Sequence, residues 1–77
     1  MKSKVLTSFG SIIKDLRLSR NWSQEELANA AGFHRTYIGM IERGERNLSL
    51  TNIERFAKAF NLTLPQLFNK IEVTKKN

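Results

Sequence analysis

The chain contains no cysteine, one histidine, one proline and four glycines among its 77 residues. The absence of cysteine excludes disulfides and thiolate metal ligands, and it is typical of a protein from a reducing compartment. With His34 as the one histidine, the sequence offers no nucleophile–base set, no metal cluster and no phosphate-cradling glycine loop. Glu25 and Glu26 are adjacent on a predicted helix and point about 100° apart, so they form no convergent carboxylate pair. We therefore predict no catalytic activity, no metal and no cofactor.

Long hydrophobic runs are also absent. The basic N-terminal stretch MKSKVLTSFGSIIKDL is interrupted by small and polar residues, and no apolar run approaches the roughly 20 residues that span a bilayer. We therefore expect no signal peptide, no membrane association and a cytoplasmic location. The length suits one domain with a single modest core, and we predict that residues 1–77 form it.

Acidic residues are few, with seven Asp and Glu against 13 Lys and Arg. The formal net charge is +6 and the sequence pI is about 10.2. A chain this basic favours polyanions, nucleic acid first and an anionic membrane surface second. Charge alone does not establish either partner, because many small basic proteins bind nothing charged.

Hydrophobic spacing predicts five helices and almost no strand. The apolar positions of the first helix are Val5, Phe9, Ile12, Ile13 and Leu16. Their helical period places the end of that helix near Arg20. SQEE at 23–26 is a capping box for a second helix that ends at Gly32, and a third helix runs from about 34 to 43, ending at Gly44. A fourth helix follows the loop 45–48, and TLPQ at 63–66 begins a short fifth. The predicted fold class is all-α, a compact five-helix bundle.

The third predicted helix has an unusual outward face. Ile38 and Ile41 mark its buried side, and helical geometry places Thr36, Gly39, Met40 and Arg43 opposite, with Arg35 and Tyr37 on the flanks. Glu42 falls on the core side, where a lone carboxylate would be costly. Arg17 lies at the edge of the first helix's apolar stripe. We predict a largely buried Arg17–Glu42 ion pair that orients the third helix against the first rather than adding stability.

Several motifs in the sequence carry a family resemblance. S-Q-E-E-L-A, an Ala-Gly turn and Y-I-x-x-I-E-R-G at this spacing resemble the helix-turn-helix of phage-repressor-like (xenobiotic-response-element type) regulators. F-G-x-x-I-K-x-L-R resembles their first helix and the pattern of the last two helices also fits, so the resemblance covers almost the whole chain. H-R-T-Y-I-G-M-I-E-R-G-E-R-N-L is similar to the controller proteins of restriction–modification systems, small dimers that regulate their own gene and the endonuclease gene. R-T-Y-I-x-x-I-E-R-G-x-R-N also occurs among regulators of other context.

The resemblance implies a lambda-repressor-like DNA-binding domain, with its helix-turn-helix at about 23–43 and its third helix in the major groove. Arg35 would then donate twice to guanine O6 and N7, and Thr36 would meet a thymine methyl. Tyr37 would contact a base edge or a phosphate, unless its ring packs against the second helix instead. The expected phosphate contacts come from the second helix's start and the loop after the third helix: Gln24, Arg43, Arg46 and Asn47.

Dimerisation is expected because one recognition helix reads too few base pairs to select a site. We assign the interface to the C-terminal helices, residues 50–71, which carry more apolar surface than two short helices usually bury. The interface residues assigned from sequence are Leu50, Leu64, Phe68 and Ile71.

The predicted function is a sequence-specific transcriptional regulator, a homodimeric controller protein on a pseudo-palindromic double-stranded DNA operator upstream of its own gene. RNA polymerase is a further candidate partner, no small-molecule ligand is expected, and the expected location is the prokaryotic cytoplasm at the nucleoid. The alternative is an antitoxin-type or other small phage-repressor-like regulator whose main partner is a protein. An adjacent endonuclease and methyltransferase gene would favour the first hypothesis, and an adjacent toxin gene the second.

Overall fold

Five helices make up the secondary structure of residues 3–71, the part of the chain that the computed structural model describes. They are α1 (Lys4–Ser19), α2 (Gln24–Ala31), α3 (Arg35–Glu42), α4 (Leu50–Ala59) and α5 (Leu64–Phe68). No strand occurs within these residues, which confirms the all-α prediction. No helix among them combines the length and apolarity needed to cross a bilayer. The predicted domain range 1–77 extends beyond the described residues at both ends.

A polar N-cap begins each of these helices, which explains why the sequence places their starts well. Both predicted capping boxes form: Ser23 Oγ accepts from the Glu26 amide at 3.0 Å, while Glu26 Oε1 accepts from the Ser23 amide at 2.7 Å. Thr63 and Gln66 repeat the arrangement at α5. His34 caps α3, its Nδ1 accepting from the Thr36 amide at 3.1 Å. The start of α3 is therefore set by local chemistry.

The core lies between the helices: α3 packs against both α1 and α2, while α4 packs against α2 and α5. Its largest fully buried side chains are Phe56, Phe60, Ile13, Leu27, Ile38, Ile41 and Leu67. Phe56 lies at the centre, with the Phe9 ring at 6.0 Å and the Phe33 ring at 5.0 Å. Trp22 stacks on Phe60 at the edge of the core, with ring centroids 5.7 Å apart. Ile38 and Ile41 bury one side of α3 in this core, while Arg35 and Thr36 at the start of the helix are exposed.

Candidate nucleic-acid interface

The first turn of α3 presents the predicted base-reading residues together. Arg35 and Thr36 are exposed, while Tyr37 beside them is half-buried. Behind them, Ile38 is 0% and Ile41 1% exposed, so the helix is anchored in the core. A helix anchored in this way exposes the side chains of its first turn, as a helix that enters a DNA groove must.

Glu42 connects three helices at the other end of α3. Its Oε2 accepts from Arg17 Nε at 2.7 Å and its Oε1 from Arg17 Nη2 at 3.1 Å. Gln24 Nε2 donates to the same Oε1 at 3.1 Å. The Arg17 side chain is 10% exposed and that of Glu42 4%, and Arg17 Nη1 also donates to the Trp22 carbonyl at 2.9 Å. Arg17 and Glu42, which the sequence pairs, thus form a buried, bidentate ion pair that joins α1, α2 and α3.

Gly39 lies differently from the prediction, which placed it on the outward face. It is buried, because the side chains of Gln24 and Arg43 cover it. A Cβ at this position would lie 3.2 Å from Arg43 Nη1 and 3.7 Å from Gln24 Oε1. Side chains from α2 and from the end of α3 therefore fill the space that a larger residue would occupy.

The Tyr37 ring is packed, as one of the alternatives expected, but against the turn after α2 rather than against α2 itself. Its ring packs on Phe33, with centroids 4.8 Å apart, so the ring belongs to the edge of the core. Its hydroxyl accepts a hydrogen bond from Asn52 Nδ2 at 3.1 Å. The Arg46 guanidinium lies 5.9 Å from the ring centroid on the solvent side. The ring is thus structural, and the hydroxyl is bonded to a side chain of α4.

The loop after α3 carries the remaining predicted phosphate contacts. Arg43, Arg46 and Asn47 are all exposed. Arg43 Nε donates to Glu45 Oε2 at 3.0 Å, and this hydrogen bond, with the attraction of the two charges, raises the pKa of Arg43 above its ordinary value. Arg46 Nη1 lies 3.7 Å from Met40 Sδ. Arg43 and Arg46 therefore lie at the end of α3 together with Glu45, which the sequence prediction did not include, whereas Asn47 lines the groove that also holds Phe68 and Ile71.

Arg55 is a positioning residue that sequence reasoning missed. Its Nε donates to the Ala31 carbonyl at 3.2 Å, its Nη2 donates to the Gly32 carbonyl, and its guanidinium lies 4.0 Å from the Phe33 ring centroid. It therefore satisfies carbonyls that the end of α2 leaves without helical partners. Its carbonyl partners lie more than 20 residues away in the sequence, so no local pattern signals this role.

The residues assigned to the dimer interface lie in two separate grooves. Leu50 is 66% and Phe68 41% exposed, whereas Leu64 and Ile71 are half-buried against the core. Phe68 and Ile71 line a groove of about 230 Å³ beside α1, and Leu50 and Leu64 line another of about 200 Å³.

Within residues 3–71 no group of three or more His, Cys, Asp or Glu side chains could hold a metal ion.

In sequence and in fold, the chain is similar to helix-turn-helix proteins and to restriction-modification controller proteins. The helix-turn-helix family model matches residues 13–67. Control protein C.BamHI of Bacillus amyloliquefaciens is 48% identical over 63 residues, which cover 80% of this chain and 78% of that protein. The crystal structure of the restriction-modification controller protein C.AhdI from Aeromonas hydrophila is 43% identical, with a TM-score of 0.77, over 82% of this chain and 96% of that one. The wild-type restriction-modification controller protein C.Esp1396I is 32% identical, with a TM-score of 0.86, over 99% and 100% of the two chains.

Proposed function

Because the chain belongs to the helix-turn-helix family of DNA-binding transcriptional regulators, we propose that it is a restriction–modification controller protein that binds operator DNA upstream of its own gene. The observation that carries the proposal is the first turn of α3. It exposes Arg35 and Thr36 from a helix anchored by two buried isoleucines. The similarity to controller proteins extends over most of both chains, which favours this function over that of an antitoxin-type regulator.

Base readout is proposed for the start of α3. The exposed guanidinium of Arg35 can donate twice to guanine O6 and N7, and the Thr36 methyl suits a thymine methyl. Tyr37 is proposed to contact DNA through its hydroxyl only, since its ring is engaged with Phe33. Each residue contributes a different kind of contact, which is what recognition of more than one base pair requires.

Phosphate contacts are proposed for Gln24, Arg43, Arg46 and Asn47. One amide hydrogen of Gln24 is used by Glu42, which leaves the second hydrogen for a phosphate oxygen at the start of α2. Arg43 would share its guanidinium between Glu45 and DNA, and Arg46, whose Nη1 lies 3.7 Å from Met40 Sδ, would reach a phosphate from the exposed loop. These contacts would set the register of the protein on the duplex without reading sequence.

A homodimer is the proposed binding form. A pseudo-palindromic operator presents two half-sites about one helical turn apart, and two copies of α3 related by a two-fold axis would match them. Leu50, Leu64, Phe68 and Ile71 are the proposed contact residues between the copies. RNA polymerase is a proposed further partner, and the proposed place of action is the cytoplasm, without enzymatic activity.

The test is binding to DNA taken from immediately upstream of the protein's own gene, compared with scrambled DNA of equal length across a salt series. A preference of about 10³-fold or more that persists at physiological salt, with two protomers per site, would support the proposal. Equal binding that disappears as salt rises would mean that the net positive charge alone attracts DNA. That outcome would overturn the proposed function.

A further inference from the structure

Asn52, in the first turn of α4, is a hydrogen-bond partner of Tyr37. Its Nδ2 donates to the Tyr37 hydroxyl oxygen at 3.1 Å, and both residues are half-buried. The Asn52 backbone amide donates to Ser49 Oγ at 3.0 Å, so the N-cap of α4 fixes the point from which this side chain extends. α4 therefore contacts α3 through the Asn52 side chain, and the N-cap holds the backbone from which that side chain extends.

The Tyr37 ring has little freedom of its own. Phe33 packs against it at 4.8 Å with an angle of 46° between the planes, and the Arg46 guanidinium lies 5.9 Å from its centroid. Phe33 is in turn covered by Arg55, also on α4. With the ring held by these neighbours, the remaining variable is the direction of the hydroxyl proton.

That direction follows from the hydrogen bond to Asn52. A phenol hydroxyl has one proton to donate and lone pairs that accept. Because the Asn52 amide hydrogen occupies an acceptor site, the Tyr37 proton points away from Asn52. We infer that Asn52 is a positioning residue of the DNA-binding surface, which makes Tyr37 a hydrogen-bond donor to an acceptor atom of DNA. The inference rests on the proposed function, and its target is an acceptor of the class found on phosphates and on base edges.

A double-mutant cycle tests this role. Tyr37→Phe removes the hydroxyl, and Asn52→Leu removes the amide donor at similar size. Asn52→Asp has nearly the same shape but can only accept, so the Tyr37 proton would turn inward. A carboxylate is favourable in the first turn of a helix, so this variant should keep its fold. The dissociation constant of each variant is measured on the upstream DNA and on scrambled DNA, with the melting temperature as a check on folding.

The expected result is that Tyr37→Phe and Asn52→Leu each weaken operator binding about three- to tenfold, the value of one hydrogen bond. In the Tyr37→Phe background, Asn52→Leu should cause no further loss. Asn52→Asp should weaken binding at least as much as Asn52→Leu, and in the Tyr37→Phe background only the repulsion between its charge and DNA should remain. A purely structural Asn52 would instead weaken binding equally in both backgrounds, which would overturn the inference.

The two DNAs separate the possible acceptors and the two proposals. A loss confined to the operator identifies a base acceptor, and an equal loss on both DNAs identifies a phosphate oxygen. If the unaltered protein prefers the upstream DNA and the Asn52 variants bind it normally, only the positioning role is overturned. If the unaltered protein shows no preference, the proposed function fails and this inference fails with it.

Discussion

At the residue scale, the charged side chain at the start of α3 is exposed, whereas the charged side chain at its end is buried. Arg35 is an exposed cation at the start of the helix, with its guanidinium open to a ligand. Glu42 is a buried anion at the end, bonded by Arg17 and Gln24. A charge used for recognition must stay hydrated until the ligand arrives, whereas a buried charge needs its partners in the folded state. The two residues therefore call for different tests.

Replacing Arg35 by Ala is expected to reduce operator affinity by about 1–3 kcal/mol and to change binding to scrambled DNA little, since a bidentate contact to guanine would be lost. Lys58→Ala is the matched control, because it removes one exposed positive charge on α4. Binding titrations on both DNAs measure the effect. If Arg35→Ala weakened both complexes equally, the residue would be a phosphate contact and the base-reading assignment wrong.

Replacing Glu42 by Ala is expected to reduce the free energy of unfolding by about 3–5 kcal/mol, because the buried Arg17 guanidinium would lose its counter-charge. The double variant Arg17→Met/Glu42→Leu should recover most of that loss, since apolar residues of similar volume often replace buried pairs without penalty. Urea unfolding measures both. We expect the double variant to fold but to discriminate operator from scrambled DNA less well. Full discrimination would contradict an orienting role for the pair.

At the element scale, two glycines mark two different kinds of helix contact. Gly10 lies where α1 crosses the end of α3, and a Cβ there would be 2.2 Å from the Ile41 carbonyl oxygen. At Gly39 the nearest atom to a Cβ would be Arg43 Nη1, at 3.2 Å. The first neighbour is backbone and the second is the end of a flexible side chain. The same substitution should therefore have opposite effects at the two positions.

Gly10→Ala is expected to destabilise the fold by about 1–3 kcal/mol, because the methyl group would force α1 away from the α3 backbone. The shift would also strain the nearby Arg17–Glu42 pair. Thermal unfolding followed by circular dichroism measures the change. An unchanged melting temperature would mean that the two helices can separate there without loss.

Gly39→Ala is expected to stabilise α3 by up to about 1 kcal/mol, the difference in helix propensity between the two residues. The Arg43 side chain, 56% exposed, can move the few tenths of an ångström that the methyl needs. The same thermal unfolding series compares this variant with Gly10→Ala. A loss of stability would show that the cover formed by Arg43 and Gln24 contributes more than propensity.

At the scale of the whole molecule, positive side chains are exposed around α3, and large apolar side chains are exposed on α1 and on the C-terminal helices. Arg35, Arg43, Arg46 and Asn47 lie around α3, while Leu50 and Phe68 are exposed on the C-terminal helices. The division suits a protein that meets DNA with one surface and a second copy with another. Leu50 and Phe68 can be replaced without altering any of the residues proposed to contact DNA.

Phe68→Asp is expected to abolish the proposed dimer and to weaken operator binding far more than binding to scrambled DNA. The ring is 41% exposed, so the helical fold should survive the change. Asn69→Asp, which adds the same charge at the next position, is the control. Sedimentation equilibrium measures the association state. A dimer that persists in Phe68→Asp would move the interface elsewhere.

Short-range chemistry accounts for what the sequence by itself determined. The starts of α2 and α5 follow from capping boxes within four-residue stretches, and the end of α2 follows from Gly32 in the left-handed region at φ 79°. The pairing of Arg17 with Glu42 spans a longer distance in the sequence. It could be predicted because a charge on a buried helix face demands a partner, and the edge of another apolar stripe offered one.

Only the tertiary structure decided what covers Gly39, what holds Tyr37 and what completes the end of α2. Gln24 and Arg43 shield the glycine, Asn52 binds the tyrosine hydroxyl, and Arg55 bonds the Ala31 carbonyl. A long polar side chain has many rotamers and can reach several neighbours, so its partner depends on how helices pack. The hydrophobic period of a helix and its caps are properties of residues close together in the sequence. These contacts, in contrast, exist only once distant parts of the chain lie side by side.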